Sequence, residues 1–177
     1  VARGAVITVR AGVFKPAEGG AAAGKILDRS ADTAGLTARR RFVELIQAEA
    51  GDVDITREDV LVSVGRGIGD KANIAIVEEL AQTMGAALSC SRPIADAKWL
   101  DKARQVGTSG KTVRPRVYLA LGISGSFQHM GGIKGNPFLI AVNKNPKAPI
   151  FQAATVGVVA DLMELVPVLT EKIQKSR

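Results

Sequence analysis

Residues 117–132, Val-Tyr-Leu-Ala-Leu-Gly-Ile-Ser-Gly-Ser-Phe-Gln-His-Met-Gly-Gly, constrain this chain more than any other stretch. The run 117–121 is apolar without alternation, as in a strand buried on both faces of a parallel sheet. Gly122 and Gly125 break the run, and Ser124 and Ser126 are candidate helix N-caps. A strand that turns at glycines into a helix start points backbone N–H groups at one spot, which favours a phosphate. Gln128 and His129 follow within one turn. The expectation is a phosphate-bearing cofactor at this turn, with His129 at its working end.

The 177 residues suffice for one sizeable core. Aromatics make up only 4% and glycines number 19, a mix suited to the aliphatic strands and tight turns of α/β folds. One Cys, Cys90, and one His exclude an internal disulfide and a Cys/His metal cluster. A reducing compartment follows, such as the cytoplasm. No apolar run reaches about 18 residues, so no membrane span is expected. A signal-peptide pattern is missing, and so is a starting Met. The chain therefore reads as a piece of a longer one.

Net charge is +7, with nine basic and nine acidic residues in 1–60 against fifteen and eight in 61–177. The excess is densest at Lys98, Lys102, Arg104, Lys111, Arg114 and Arg116. Such a cluster admits nucleic acid as a partner. Only Trp99 and Tyr118 are interleaved for base stacking, however, and a solvated basic face explains the charge equally well.

Along the chain, residues 5–9 read as a short strand and the small-residue stretch 17–24 as a flexible turn. Residues 39–48 fit a helix face or a strand. The polar, acidic stretch 51–59 marks a boundary, and residues 1–57 carry too little periodic apolar surface for a core of their own. From Val60 the pattern is regular. A buried strand at 60–64 leads through Gly65-Arg66-Gly67-Ile68-Gly69 to a helix over 71–84, ended by Gly85. A strand at 86–90 follows, and Pro93 then starts a short helix or ends the strand. Residues 105–111 form a glycine-containing loop. Further strands are expected at 138–142 and 150–154. A last helix is expected from about Val158, kinked or split at Pro167. Strands alternating with helices imply βαβ units and a parallel sheet.

Ligands of open parallel sheets collect at the carboxyl ends of the strands. Arg66, Ser91, Arg92, Ser124, His129 and Asn143 all fall there. Each has a plain structural reading as well. The glycines around Arg66 allow a helix to pack on a strand, and Arg92 can pair with Asp96. His129 can be a satisfied core residue, and Asp161 can be a helix cap. Thr108 and Ser109 lie in a loop where hydroxyls are commonly solvated. Ser124 lacks the Gly-x-Ser-x-Gly spacing of a nucleophile elbow, and no carboxylates pair at a shared site. Redox chemistry through a bound cofactor fits better than protein-borne catalysis.

Several segments, in order and at matching spacing, resemble one family. They are Val-Ser-Val-Gly-Arg-Gly-Ile-Gly at 62–69, Ser-Arg at 91–92, Gln-Val-Gly-Thr-Ser-Gly-Lys at 105–111 and Gly-Ile-Ser-Gly-Ser-Phe-Gln-His at 122–129. Ala-Val-Asn-Lys-Asn-Pro-Lys-Ala-Pro-Ile-Phe-Gln at 141–152 and Val-Ala-Asp-Leu at 159–162 complete the set. From about Val60 to Ile173 the chain resembles the C-terminal, FAD-binding domain of the electron-transfer flavoprotein alpha subunit. Residues 1–57 resemble, more loosely, the tail of that subunit's N-terminal domain with its linker.

The resemblance implies an α/β fold, a parallel sheet flanked by helices on both faces in a Rossmann-like nucleotide-binding domain over 58–177. It implies FAD in an extended pose, with Arg92 placing a cation beside the isoalloxazine and His129 donating to the flavin C2 carbonyl. Ser109 would sit near flavin N5, where Thr108-Ser109 replaces the family's Gln-Thr. Arg66, Ser91, Val106, Gly107 and Ser124 fall on FAD-contact positions, as do Gln128, Asn143, Asp161 and Leu162; Gly125 belongs to the same turn. Thr155-Val156 stands where many relatives have an acidic residue and often an aromatic.

The function implied is electron carriage, not stand-alone catalysis. Electrons would pass from flavin dehydrogenases to a quinone reductase or similar acceptor through a flavin semiquinone, in a heterodimer with the beta subunit. The alternative is a non-redox domain that binds an adenine dinucleotide; neither reading involves nucleic acid or a membrane span.

Overall fold

The computed structural model describes Gly4, Thr8, Lys25, residues 27–33, Gly35, Arg41, Val43 and residues 53–176. The expected strand at 5–9, the turn at 17–24 and the ambiguous segment at 39–48 lie outside these, apart from Thr8, Arg41 and Val43. The chain divides into two compact units, Val1–Ile46 and Gln47–Arg177. The first contains a short 3-10 helix, Ser30–Thr33.

The second unit is built on five parallel strands, β1 (Val60–Val64), β2 (Ala87–Cys90), β3 (Val117–Leu121), β4 (Phe138–Val142) and β5 (Val156–Val158), in the order β2-β1-β3-β4-β5. The inner strands are buried on both faces, which is why their sequences are continuous apolar runs. Val62 stands in register with Leu88 and Leu119, and these side chains face one core cluster. Leu61, Ala87 and Tyr118 face the other.

The first cluster is closed by α1 (Ile74–Met84) and α4 (Leu162–Lys175), with Ile94 of α2 (Arg92–Asp96) added at one end. The stripe Ile74, Val77, Leu80 and Ala81 is buried, as its helical spacing predicts. Each large aliphatic side chain among them contributes about 1.5–3 kcal/mol by leaving water. Asp70 opens the segment by accepting from Ala72 N–H at 2.8 Å, and Gly85, at φ 64°, ends it. The second cluster is covered by the one-turn helix α3 (Phe127–Met130) and by irregular chain carrying Ile55, Val106, Val113, Ile123 and Ile150.

Two elements differ from the sequence expectation. Residues 150–154 are not a strand. Pro149–Gln152 forms a 3-10 turn with Pro149 at its start, and Ile150 is buried against the turn after β3. A short apolar run carries no period that separates a strand from a buried turn. The fifth strand lies just beyond, at Val156–Val158, with Gly157 at its centre and little burial to mark it. The last helix begins at Leu162 rather than Val158, because Asp161 accepts from Met163 N–H at 2.8 Å and caps it there. Pro167 lies inside one 14-residue helix, not between two short ones. At that point it forfeits a single hydrogen bond, the one its N–H would give to the carbonyl of Met163.

The ends of β1 and β3 approach so closely that a Cβ on Gly65 would lie 2.4 Å from the Gly122 carbonyl oxygen. Gly65→Ala is expected to destabilise the fold by about 1–3 kcal/mol, read as a lower urea midpoint at unchanged slope.

Candidate functional site

After β2 the chain crosses back over β1 to form β3, so the connections leaving β1 and β3 diverge at the carboxyl rim. This strand order places the switch point between β1 and β3, where a crevice opens in doubly wound sheets. Gly65 N–H donates to the Leu121 carbonyl at 2.8 Å and Gly67 N–H to the Gly122 carbonyl at 3.0 Å. These bonds tie the two loops together at the floor of a cleft of about 500 Å³.

The cleft gathers most of the residues that the sequence singles out. Arg66 enters from the end of β1, and Ser91 and Arg92 from the end of β2. Val106, Gly107 and Ser109 come from the loop that follows. Ser124, Gln128 and His129 come from the turn and helix after β3, and Asn143 from the end of β4. Asp161 and Leu162 line a smaller recess of about 120 Å³, which shares Gly67, Gly122, Asn143 and Asn145 with the cleft and extends it along the rim.

Thr108 and Gly125 are not on the cleft wall. Thr108 N–H donates to the Gln128 carbonyl at 2.8 Å and holds its loop against α3. Gly125, at φ 85°, lets the turn press on Ile150, whose nitrogen would lie 2.4 Å from an added Cβ. The Ser124 carbonyl accepts from that Ile150 N–H at 3.0 Å.

The turn after β3 differs from a helix-dipole phosphate site. α3 is only one turn long, and its cap is Ser126, which accepts from His129 N–H; Ser124 does not cap it. Donors are present all the same. Among the described residues, the backbone N–H groups of Ile123, Ser124 and Gly125 donate to nothing in the chain. Ile123 and Ser124 line the cleft, and unused amides on a cleft wall can receive an anion without a long helix behind them.

The charged and titratable groups divide by depth. Arg92 is exposed at the rim, with Nε 3.1 Å from Asp96 Oδ2, so the ion pair read from the sequence is present within the cleft wall itself. His129 is 5% exposed at the floor. Burial pulls its pKa down from 6.5 to about 4, partly opposed by the main chain of Val106, so the ring is neutral near pH 7. Nε2 lies 2.9 Å from the Tyr118 hydroxyl, and Nδ1 is buried without a partner. Asn143 donates from Nδ2 to the Ile123 carbonyl at 3.0 Å and so anchors the β3 turn. The Asp161 carboxylate caps α4 from the edge of the recess.

Gln105, Asn145 and Pro149 are among the lining residues not singled out as site residues from sequence. Gln105 is 2% exposed, lines the cleft and donates from Nε2 to Ser109 Oγ at 3.0 Å, fixing that hydroxyl. Its signal was a polar residue opening the glycine-containing loop. Asn145 and Pro149 line the far wall. They belong to the 141–152 segment, but its apolar end suggested a strand and drew attention away from them.

Comparison with known proteins places this geometry. Residues 54–134 match the electron transfer flavoprotein FAD-binding domain family. The electron transfer flavoprotein subunit alpha of Methylophilus methylotrophus is 48% identical over 162 residues, covering 90% of this chain and 50% of the relative. That of Thermoanaerobacterium thermosaccharolyticum is 41% identical over 169 residues, covering 95% and 51%. Protein FixB of Salmonella typhimurium is 46% identical over 128 residues, covering 72% and 41%. The chain spans about half the length of these relatives or less. The matched stretch runs through the first three strands and the cleft-lining loops that follow each of them, the two relatives of the alpha subunit extend the match over 90% and 95% of the chain, and on these grounds the chain belongs to the electron transfer flavoprotein alpha-subunit family.

Proposed function

We propose that the cleft and its adjoining recess hold FAD in an extended pose, and that the protein carries electrons as one subunit of a flavoprotein heterodimer. The observation that carries this reading is the convergence, in one cleft, of a rim guanidinium, a neutral buried imidazole and the unused turn amides of Ile123 and Ser124. The residues present suit the group. Nδ1 of His129 is a buried polar atom in want of a partner, and the turn amides match a pyrophosphate. Bound FAD supplies a carrier that accepts two electrons and releases them singly through its semiquinone.

In this reading the chain's own residues bind and bias. The turn at Ile123, Ser124 and Gly125 holds phosphate oxygens. Gln105 keeps the Ser109 hydroxyl in place beside the ring system. Arg92 sets a positive charge at the rim, where it favours an electron-rich ring, and Asp96 tempers that charge. His129, being neutral, offers a hydrogen bond without a second full charge. Arg66, Ser91, Val106, Gly107, Gln128 and Asn143 form the remaining walls, and Asp161 and Leu162 flank the far end.

A beta subunit would cover the open side of the flavin, flavin dehydrogenases would supply the electrons, and a quinone reductase or similar acceptor would receive them. Residues 1–57 would be the tail and linker of an N-terminal domain, and 58–177 the FAD-binding domain. Among the described residues no helix is long and apolar enough to cross a membrane. A domain that merely holds an adenine dinucleotide would share the fold. It would have no need of Arg92 and His129 at the ring end.

Protein purified with its partner should be yellow, and acid-released cofactor should have the mass of FAD. Ser124→Leu fills the turn and is expected to give a colourless protein with an unchanged far-ultraviolet circular dichroism spectrum. Colourless protein before substitution would leave the carrier reading without support.

Arg92→Ala should lower semiquinone yield on photoreduction more than it lowers FAD content. The underlying loss is about 1 kcal/mol, because the group is exposed and screened. Equal losses of yield and content would assign Arg92 to binding alone.

The protonation of His129 has its own signature. The unfolded chain protonates this ring below 6.5 and the fold resists until about 4. Stability is therefore expected to fall as pH drops through that window, by roughly 3 kcal/mol in all, and to be unaffected by this group above it. His129→Gln should remove that share, measured as the wild-type minus variant difference in urea unfolding at about pH 7 and about pH 4.5.

A further inference from the structure

Tyr118 is the only tyrosine of the chain and lies in the middle of the sheet, on β3, with no exposed surface. It does not line the cleft, yet its hydroxyl reaches His129 Nε2 at 2.9 Å, with the two rings tilted by 59°. Nδ1, on the other side of the imidazole, is buried and unpartnered, and His129 forms part of the cleft wall. A neutral imidazole has one N–H donor and one bare acceptor. Whatever Tyr118 does at Nε2 therefore decides what His129 offers at Nδ1.

The surroundings favour one direction for that bond. Ser63 on β1 and Ser89 on β2, both without exposed surface, share the Tyr118 face of the sheet. Ser89 Oγ is directed at the Val62 carbonyl, 3.5 Å away. Ser63 Oγ completes no hydrogen bond in this geometry and has a proton to give. Among the described residues neither serine oxygen accepts the tyrosine proton, which leaves that proton for Nε2. Burial pushes the Tyr118 hydroxyl well above the ordinary tyrosine range, so that proton does not leave.

We infer that Tyr118 is a positioning residue that donates to Nε2 and thereby fixes His129 as the tautomer with its proton on Nδ1. The pairing makes His129 a neutral donor with a fixed direction. It links the apolar interior of the sheet to the cleft through two side chains. The tautomer itself needs no ligand. Its use, donation to a carbonyl of a bound ring system, rests on the FAD reading.

The test is nitrogen NMR on the full chain with 15N-labelled histidine, His129→Gln identifying the signals. The expected wild-type spectrum shows a protonated Nδ1 and a bare Nε2, unchanged between about pH 6 and about pH 8. A protonated Nε2 in the wild type would overturn the inference outright, and this measurement needs no variant to fold. In Tyr118→Phe the donor is gone, and the ring should shift toward protonated Nε2 or exchange between the two forms. A variant that keeps Nδ1 fully protonated would show that Tyr118 does not set the tautomer. FAD titrated into the two proteins gives the second arm. The variant should bind about three- to tenfold more weakly, the worth of one neutral hydrogen bond. Should the spectra behave as stated while wild type takes up no FAD, the ligand reading fails and the tautomer assignment stands.

Discussion

Everything at the carboxyl rim depends on two loops meeting backbone to backbone. Added Cβ atoms on Gly65 and Gly67 would lie 2.4 and 2.9 Å from the Gly122 carbonyl oxygen, and one on Gly122 would lie 2.8 Å from the Gly67 Cα. No side chain fits at any of these points. The contact brings the ends of β1 and β3 to the same depth. The Ile123–Gly125 amides just beyond it take no part in the sheet ladder, and the contact forms a floor from which the walls rise. Asn143 completes the arrangement from β4 by holding the Ile123 carbonyl. The cleft is thus a consequence of how three strand ends are tied, and its polar side chains stand on a rigid base.

Depth then assigns the electrostatic roles. A guanidinium at the rim keeps its charge whatever binds, and its influence on a ligand is limited by water and by Asp96. An imidazole at the floor has no such solvent, so burial removes its charge and leaves only its hydrogen-bonding capacity. One residue supplies a field and the other a direction. Exchanging their positions would bury an unpaired guanidinium and expose a histidine that titrates near neutrality.

Much of this was legible in the sequence. β1, β3 and β4 announced themselves as apolar runs, and α1 as a stripe closed by Gly85, because each is decided by burial and by one glycine conformation. The polar residues at the strand ends were legible for the same reason: in a parallel sheet, position along the strand fixes position relative to the rim. The failures share a cause. At 150–154 and at 156–158 the period is too short to read, and the outcome turns on contacts with distant residues, Gly125 beneath Ile150 and β4 beside Gly157. α3 was legible only as a helix start with a capping serine nearby, and it ends after one turn at Gly131. Tyr118 was hidden most completely. Inside an apolar strand it passes for core, and only its reach across to His129 sets it apart.

That concealment bears on why the second face of the sheet is not simply apolar. Ser63, Ser89 and Tyr118 sit without exposed surface among Leu61, Ala120, Leu139 and Ala141, where aliphatic side chains would pack with no polar atoms to satisfy. A buried hydroxyl left unmatched costs about 1–3 kcal/mol, and Ser63 Oγ is unmatched here. Packing gives no reason to place three hydroxyls on one buried face of the sheet. A reason appears once they are taken with His129, because an imidazole at a cleft floor needs a fixed proton pattern behind it, and an alkyl wall cannot impose one. The polar cluster on the hidden face and the single histidine on the open one are then two ends of the same device, and the stability given up in the first is what orders the second.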